Sequence, residues 1–187
     1  WVRCANELRD RYPDPTATCD PLDPVGLARW IGQTLRPEDT VVTDVGQHQM
    51  WVAQSCAIRR PRGLLTSGGL GTMGFGLPAA IGAALARPGH RVACITGDGS
   101  ILMNLQELAT LAEQRLPVKV IVYDNGHLGM VRQQQALLHG GRFTASGFAA
   151  RVDYASAAAA FGIPSIDLGD CADPRAALRC ALDAPGP

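Results

Sequence analysis

The 187-residue sequence has no excess of charge of either sign and no long apolar run. Lys and Arg together number 17, as do Asp and Glu, so the formal net charge is zero. This balance argues against a broad electrostatic attraction to nucleic acid or to an anionic membrane surface. No apolar run approaches the roughly 18 residues of a transmembrane helix, and the N-terminus has no signal-peptide pattern. We therefore expect a soluble, cytoplasmic protein that binds neither nucleic acid nor membrane.

Cysteine patterns typical of metal sites are missing as well. The six cysteines, at positions 4, 19, 56, 94, 171 and 180, form no Cys-x-x-Cys pair and have no nearby histidine at metal-site spacing. We expect reduced thiols, and Cys56 and Cys94 suit small core positions. The chain begins with Trp1 and stops at Pro185-Gly186-Pro187, and both ends suggest a piece of a longer chain.

Apolar runs of strand length alternate with helical patterns after residue 23. Residues 1–23 contain Pro13, Pro15 and Pro21 among mixed charges and are typical of a linker, whereas 24–187 predict one domain. Strands are predicted at 40–44, 63–66, 91–96, 118–123 and 164–168, and helices at 24–35, 49–57, the second half of 67–86, 105–115, 128–138, 154–161 and 174–183. This order predicts an α/β fold, a doubly wound parallel sheet with helices on both faces.

Two polar turns follow the strands predicted at 91–96 and 118–123. They are Gly97-Asp98-Gly99-Ser100 and Asp124-Asn125-Gly126-His127. Because neighbouring parallel strands end at the same edge of a sheet, Asp98 and Asn125 can converge there. A carboxylate, an amide oxygen and a backbone carbonyl suit Mg²⁺ if a diphosphate supplies further oxygens. An ordinary Asp-Gly surface turn would explain the first motif alone, and the second turn favours the cation site.

These turns and four longer stretches resemble the catalytic subunit of acetohydroxyacid synthase, also called acetolactate synthase. The stretches are DVGQHQMW at 44–51, SGGLGTMGFGLPAAIGA at 67–83, MNLQELAT at 103–110 and LPVKVIVYDNGHLGMVRQQQ at 116–135. The glycine-flanked Asp98, followed by Asn125, is similar to the cofactor motif of thiamine-diphosphate-dependent enzymes. The resemblance covers about residue 25 to the end and implies the thiamine-diphosphate-binding fold of the C-terminal domain in a three-domain transferase.

The resemblance also implies the site residues. Magnesium would be held by Asp98, Asn125 and the main-chain carbonyl of His127. The cofactor would contact Gly46, Gln47, His48, Gly71, Met73, Asp98, Gly99, Ser100, Asn125, Gly129 and Met130. Met73 would prop the cofactor into a bent shape, and the carbonyl of Gly71 would accept a hydrogen bond from its aminopyrimidine. From the residues alone, His48 could open a helix and Met73 could fill the core.

The implied reaction is decarboxylation of pyruvate and condensation with a second 2-oxo acid, pyruvate or 2-oxobutyrate, at the entry to branched-chain amino acid biosynthesis. In the family, the glutamate that activates the cofactor and the FAD-binding domain lie in segments that this chain does not contain. The fragment alone is therefore expected to be inactive, with FAD only in the intact enzyme. Expected partners are further copies, in a homodimer or tetramer, and a regulatory small subunit.

Two departures from the family pattern affect these expectations. Many members carry tryptophan where this chain has Gln134, and that tryptophan favours 2-oxobutyrate over pyruvate as the acceptor. Such a pocket contact is worth about 1 to 3 kcal/mol, so weak discrimination between acceptors is predicted. The stop at Pro187 is expected to leave the domain short of its last strand, and the exposed sheet edge would favour weak stability or self-association.

Other classes stay open at this point. Another thiamine-diphosphate carboligase or decarboxylase, such as a catabolic acetolactate synthase or a sulfoacetaldehyde acetyltransferase, would share this domain. A noncatalytic dinucleotide-binding module would need a Gly-rich loop after its first strand, whereas the first strand here exits into Gly46-Gln47-His48. A purely structural dimerisation piece is a third alternative.

Overall fold

The computed structural model describes residues 1–12, 20 and 22–187. The strands are β1 (Thr40–Thr43), β2 (Leu64–Thr66), β3 (Val92–Gly97) and β4 (Val118–Tyr123). The helices are α1 (Val2–Arg11), α2 (Pro24–Thr34), α3 (Gln47–Ser55), α4 (Gly76–Ala86), α5 (Asp98–Ile101), α6 (Leu108–Gln114), α7 (Gly129–Leu138), α8 (Tyr154–Ala160) and α9 (Pro174–Asp183). Short 3₁₀ turns span Leu105–Glu107 and Leu168–Asp170.

The described strands form one parallel sheet in the order β2-β1-β3-β4. In the register of this sheet, Val42 lies beside Cys94, and Cys94 beside Val120. The chain moves outward from β1 to β2 and then crosses back over β1 to reach β3. The direction of winding therefore changes between β1 and β3, and ligands of open α/β sheets bind at the carboxyl ends of the strands at such a point. The predicted parallel α/β sheet is confirmed.

Helices cover both faces of the sheet. Val41 and Ile95 belong to a buried cluster with residues of α2, α3 and α9, whereas Val42 and Cys94 belong to a second cluster with residues of α4 and α6. Successive strand residues point to opposite faces, so a sheet covered on both sides needs continuously apolar strands. This requirement explains why β3 and β4 are largely apolar in the sequence.

Local signals set where several helices begin and end. The Asp23 carboxylate accepts hydrogen bonds from the amides of Val25 at 3.1 Å and Gly26 at 2.9 Å, which caps α2 as predicted. Pro24 occupies the first helical position, where its missing N–H costs nothing. These contacts fix the residue at which α2 begins.

Some predicted elements differ from the structure. No strand forms at residues 164–168: Pro164 has no N–H for a sheet, and the Asp167 carboxylate closes a local turn on the Gly169 amide at 2.8 Å. Helix α3 begins at Gln47, two residues before its predicted start, so Gln47 and His48 lie in its first turn. Helix α1 forms within the predicted linker and buries none of its residues. The linker prolines at positions 13, 15 and 21 lie outside the described residues.

A partly buried ion-pair network lies at the opposite edge of the sheet from the turns. The buried Arg91 guanidinium contacts the Asp39 carboxylate at 2.6 Å and the Asp183 carboxylate at 2.9 Å. It also donates to the main-chain carbonyl of Leu182 at 2.8 Å. The start of β3 is thereby joined to the turn before β1 and to the last turn of α9.

Among the described residues, no helix has both the length and the apolar character needed to cross a membrane. The five cysteines that the structure describes are free thiols, and Cys56 and Cys94 are buried as expected. Burial raises the pKa of the Cys56 thiol to about 11 and raises the pKa of the Cys94 thiol still further. Both therefore act as neutral, small core residues.

Candidate functional site

A cavity of about 220 Å³ lies at the carboxyl edge of the sheet. Its walls come from the residues that follow β1, β3 and β4, from the first turns of α3, α5 and α7, and from the loop before α4. Every residue predicted from the sequence lines it: Gly46, Gln47, His48, Gly71, Met73, Asp98, Gly99, Ser100, Asn125, His127, Gly129, Met130 and Gln134. The structure thus brings all of them together, while their individual roles stay predictions.

The two polar turns meet at the Asp98 carboxylate. Asp98 Oδ2 accepts hydrogen bonds from the amides of Asn125 at 3.2 Å and Gly126 at 2.7 Å, and Oδ1 accepts from the Gly99 amide at 2.8 Å. In the second turn, Asn125 Oδ1 accepts from the His127 amide at 3.1 Å. One carboxylate therefore joins the ends of β3 and β4.

The Asp98 carboxylate is 4% exposed, and burial raises its pKa. The amides of Gly99 and Gly126 act in the opposite direction, and the neighbouring Asp124 raises the pKa further. A carboxylate in this environment is stabilised in its charged form by a nearby cation. The electrostatics of the turn therefore suit a metal ligand.

No group of three or more His, Cys, Asp or Glu side chains suitable for a metal occurs in the part of the chain that the structure describes. Such a group would favour a transition metal, or a Ca²⁺ site rich in carboxylates. Magnesium is commonly held by one or two carboxylates, with phosphates and water in the other positions. The single carboxylate of Asp98 beside the amide of Asn125 fits magnesium with a diphosphate.

His48 presents a buried polar atom without a partner. The side chain is 4% exposed, and its Nε2 is one of two buried side-chain nitrogens among the described residues that have no hydrogen bond. Its ring is stacked with Tyr123 at a centroid distance of 6.4 Å. Burial lowers the pKa of His48 to about 4, against the opposing effect of Asp44. A buried polar group of this kind is costly unless a ligand satisfies it, which favours a binding role at the cavity.

Met73 lies beside the cavity instead of in the core. It belongs to neither buried apolar cluster and is only partly buried. A methyl group added to Gly99 would lie 2.6 Å from Leu128 Cδ2, 3.1 Å from Phe148 Cζ and 3.7 Å from Met73 Cε. A side chain at position 99 would therefore force Leu128 and Phe148 to shift. Because Met73 belongs to neither buried cluster, the core-filling interpretation of Met73 loses support.

Asp44 holds the glycine-rich loop and was not predicted as a site residue. It is 1% exposed, and its Oδ1 accepts from the amides of Val45 at 2.7 Å and Gly74 at 2.9 Å. Its Oδ2 accepts from the Gly76 amide at 2.9 Å. Gly71, at the start of this loop, has a φ of +63°, a conformation that favours glycine. The sequence did contain a signal for this role of Asp44: an acidic residue directly follows a buried strand, and a stretch rich in glycine amides follows further along the chain.

The three consecutive glutamines of α7 have different surroundings. Gln133 Oε1 accepts a hydrogen bond from the side-chain amide of Gln47 at 2.9 Å, which joins α7 to the first turn of α3. Gln134 lines the cavity. Gln135 Oε1 accepts from the Ser146 hydroxyl at 2.8 Å and so fastens the loop after α7. Sequence reasoning identified only Gln134, because the partners of the other two are distant in sequence.

Comparison with known proteins agrees with this arrangement. Residues 44–187 match the family described as "Thiamine pyrophosphate enzyme, C-terminal TPP binding domain", thiamine pyrophosphate being another name for thiamine diphosphate. Over its whole length the chain is 46% identical to the acetolactate synthase isozyme 1 large subunit of Escherichia coli K12 and 50% identical to the isozyme 2 large subunit. It is also 49% identical to the chloroplastic acetolactate synthase of Arabidopsis thaliana. The chain spans 34%, 34% and 29% of these relatives, about a third of their length.

The family match begins at Asp44 and includes the glycine-rich loop, both polar turns and α7. It therefore includes every residue that lines the cavity. Among the classes that the sequence left open, the family match argues against a dinucleotide-binding module. The chain belongs to the C-terminal TPP binding domain family of thiamine pyrophosphate enzymes.

Proposed function

We propose that this chain is the diphosphate-binding domain of an acetolactate synthase, a transferase that decarboxylates pyruvate and condenses the product with a second 2-oxo acid. The observation that carries the proposal is the meeting of the two turns at Asp98, whose carboxylate accepts from the amides of Asn125 and Gly126 beside the cavity. The identity to large subunits of acetolactate synthases, 46% and 50% over the whole chain, supports the substrate class.

Magnesium would be held by Asp98, Asn125 and the main-chain carbonyl of His127. Asp98 would supply the charge, and the metal would offset the cost of burying that carboxylate. The other two groups are neutral oxygens, so the remaining positions of an octahedral ion are left for diphosphate oxygens and water. This ligand set is selective for a hard cation because it contains no thiol or imidazole.

The diphosphate would bind between the first turns of α3 and α7. The N-terminus of a helix favours anions because its first backbone N–H groups have no partner within the helix. His48 Nε2, which is buried without a partner, and the side chain of Gln47 lie on the α3 side. Thiamine diphosphate, when bound, supplies the electron sink that decarboxylation of a 2-oxo acid requires. Met73 would support the bent shape of the cofactor, and the carbonyl of Gly71 would orient its aminopyrimidine.

The rest of the proposed enzyme would lie outside this chain, which spans about a third of its curated relatives. We propose that the remaining two thirds supply the glutamate that activates the cofactor, the FAD site and most of the substrate pocket. The chain alone would then bind cofactor without turning over pyruvate. The whole protein would be a dimer or tetramer with a regulatory small subunit, in line with relatives described as large subunits.

Calorimetric titration of the chain with thiamine diphosphate, with and without magnesium, tests the proposal. We expect binding that depends on magnesium and no comparable binding of NAD. Asp98→Asn should weaken the magnesium-dependent binding by more than about tenfold, since even residues behind a metal ligand commonly contribute that much. Asp173→Asn is the matched control, because Asp173 only caps α9 and asparagine caps equally well. Magnesium-dependent affinity that is equal in Asp98→Asn and in the control would refute the assignment of the metal site.

A further inference from the structure

Residues 146–154, which we call the strap, cross the second polar turn on their way to α8. The Phe148 amide donates to the carbonyl of Gly126 at 2.9 Å. Beside it, His127 and Gly147 form an isolated antiparallel bridge. The strap is therefore paired through its backbone with the turn that carries Asn125.

The end of the strap reaches both turns through two long side chains. Arg151 Nη2 donates to the Asp124 carboxylate at 2.9 Å, next to Asn125. The Tyr154 hydroxyl donates to the main-chain carbonyl of Asp98 at 2.9 Å, across 56 positions in sequence. Neither Arg151 nor Tyr154 lines the cavity, so any influence on a ligand would be exerted through the turns.

The contact of Tyr154 restrains the peptide unit between Asp98 and Gly99. This unit is planar, so its carbonyl oxygen and its N–H move together. Tyr154 holds the oxygen, and the N–H donates to Asp98 Oδ1 at 2.8 Å. Rotation of the peptide plane would therefore disturb the carboxylate, whose other oxygen binds the amides of Asn125 and Gly126.

We propose that Tyr154 is a positioning residue for Asp98: its hydroxyl fixes the peptide plane that orients the carboxylate joining the two turns. The part of this inference that concerns metal binding rests on the proposed function. The part that concerns the turn does not, because it involves only contacts between residues of this chain.

Amide hydrogen exchange on the ligand-free chain tests the effect on the turn. Tyr154→Phe removes the hydroxyl and keeps the ring, and Tyr12→Phe is the matched control because Tyr12 is exposed. Since one hydrogen bond changes a local equilibrium by about fivefold, we expect exchange at Asn125 and Gly126 to speed up about fivefold in Tyr154→Phe only. Exchange in β3 should not change. Rates at the two amides equal to those of the control, or acceleration throughout β3, would overturn the inference.

Titration with Mn²⁺ in the presence of thiamine diphosphate, followed by electron paramagnetic resonance, tests the effect on the metal. We expect Tyr154→Phe to weaken Mn²⁺ binding about fivefold relative to Tyr12→Phe. Unchanged exchange in β3 excludes a general structural defect as the cause of weaker Mn²⁺ binding. Equal Mn²⁺ affinity in the two variants, together with equal exchange, would overturn the inference and leave the metal site intact. If the unaltered chain did not bind Mn²⁺, the proposed metal site would be wrong. The hydrogen-exchange rates of Asn125 and Gly126 would then still test the role of the Tyr154 hydroxyl.

Discussion

Replacing Asp44 with asparagine should destabilise the domain severely although the two side chains have almost the same shape. The two carboxylate oxygens accept from the amides of Val45, Gly74 and Gly76. An asparagine offers one oxygen, and its NH₂ group is a donor. At least one buried amide would therefore face another donor, without water to satisfy either group.

The size of the effect follows from these three bonds. A hydrogen bond to a charged group contributes about 1.5 to 3 kcal/mol, and one between neutral groups about 1 kcal/mol. Asp44→Asn removes one bond of the first kind and converts the remaining bonds to the second kind. We expect a loss of about 3 to 7 kcal/mol in the free energy of unfolding, a large part of the roughly 5 to 15 kcal/mol of a typical domain.

Urea unfolding of the chain, followed by far-UV circular dichroism, measures this loss as a fall in midpoint at constant slope. Asp173→Asn is again the control: its carboxylate accepts from the Ala176 amide at 3.0 Å at the exposed start of α9. Asparagine is an equally good cap, so the control should lose less than about 0.5 kcal/mol. If Asp44→Asn lost less than about 1 kcal/mol, the reasoning that Asp44 holds the glycine-rich loop would be refuted.

Two further predictions concern pH and acceptor choice. Stability should fall between about pH 6.5 and pH 4, because the unfolded chain protonates His48 at its usual pKa while burial lowers the pKa in the folded state to about 4. The stability that depends on neutral His48 is complete above pH 6.5, and about 3 kcal/mol of it is lost on acidification to pH 4. In urea unfolding, His48→Gln should make stability depend less on pH in this range. If stability of His48→Gln fell with pH as steeply as that of the unaltered chain, His48 would not be the group that causes the fall. In the intact enzyme, Gln134→Trp should raise the preference for 2-oxobutyrate over pyruvate roughly tenfold. If competition kinetics showed no such shift, the prediction that Gln134 contacts the acceptor would be wrong.

Much of the fold could be predicted because its determinants are local. The buried strands β3 and β4 appear as apolar runs in the sequence, since both faces of the sheet are covered. Asp23 and Pro24 mark the start of α2 through the chemistry of two adjacent residues. The cavity was predictable for the same reason, because the motifs at Asp98 and Asn125 each follow a strand, and parallel strands end at one edge.

The missed features depend on partners that local patterns do not reveal. Tyr154 contacts Asp98 across 56 positions, and nothing near Tyr154 in the sequence indicates that contact. Asp44 was read as part of a motif, and its three amide partners became evident only from the path of the loop. Residues 164–168 have a strand-like composition, but a strand also needs a neighbour to pair with, and β-propensity depends strongly on that context.

The network around Arg91 has a consequence for synthesis on the ribosome. Arg91 and Asp183 are separated by 92 positions, so at typical elongation rates of 5 to 20 residues per second they emerge roughly 5 to 20 s apart. During that interval β3 can pair with β1, while the guanidinium Nη1 has neither the Leu182 carbonyl nor the Asp183 carboxylate. Until α9 has left the ribosome, the start of β3 therefore lacks two of the contacts that Arg91 makes in the folded domain.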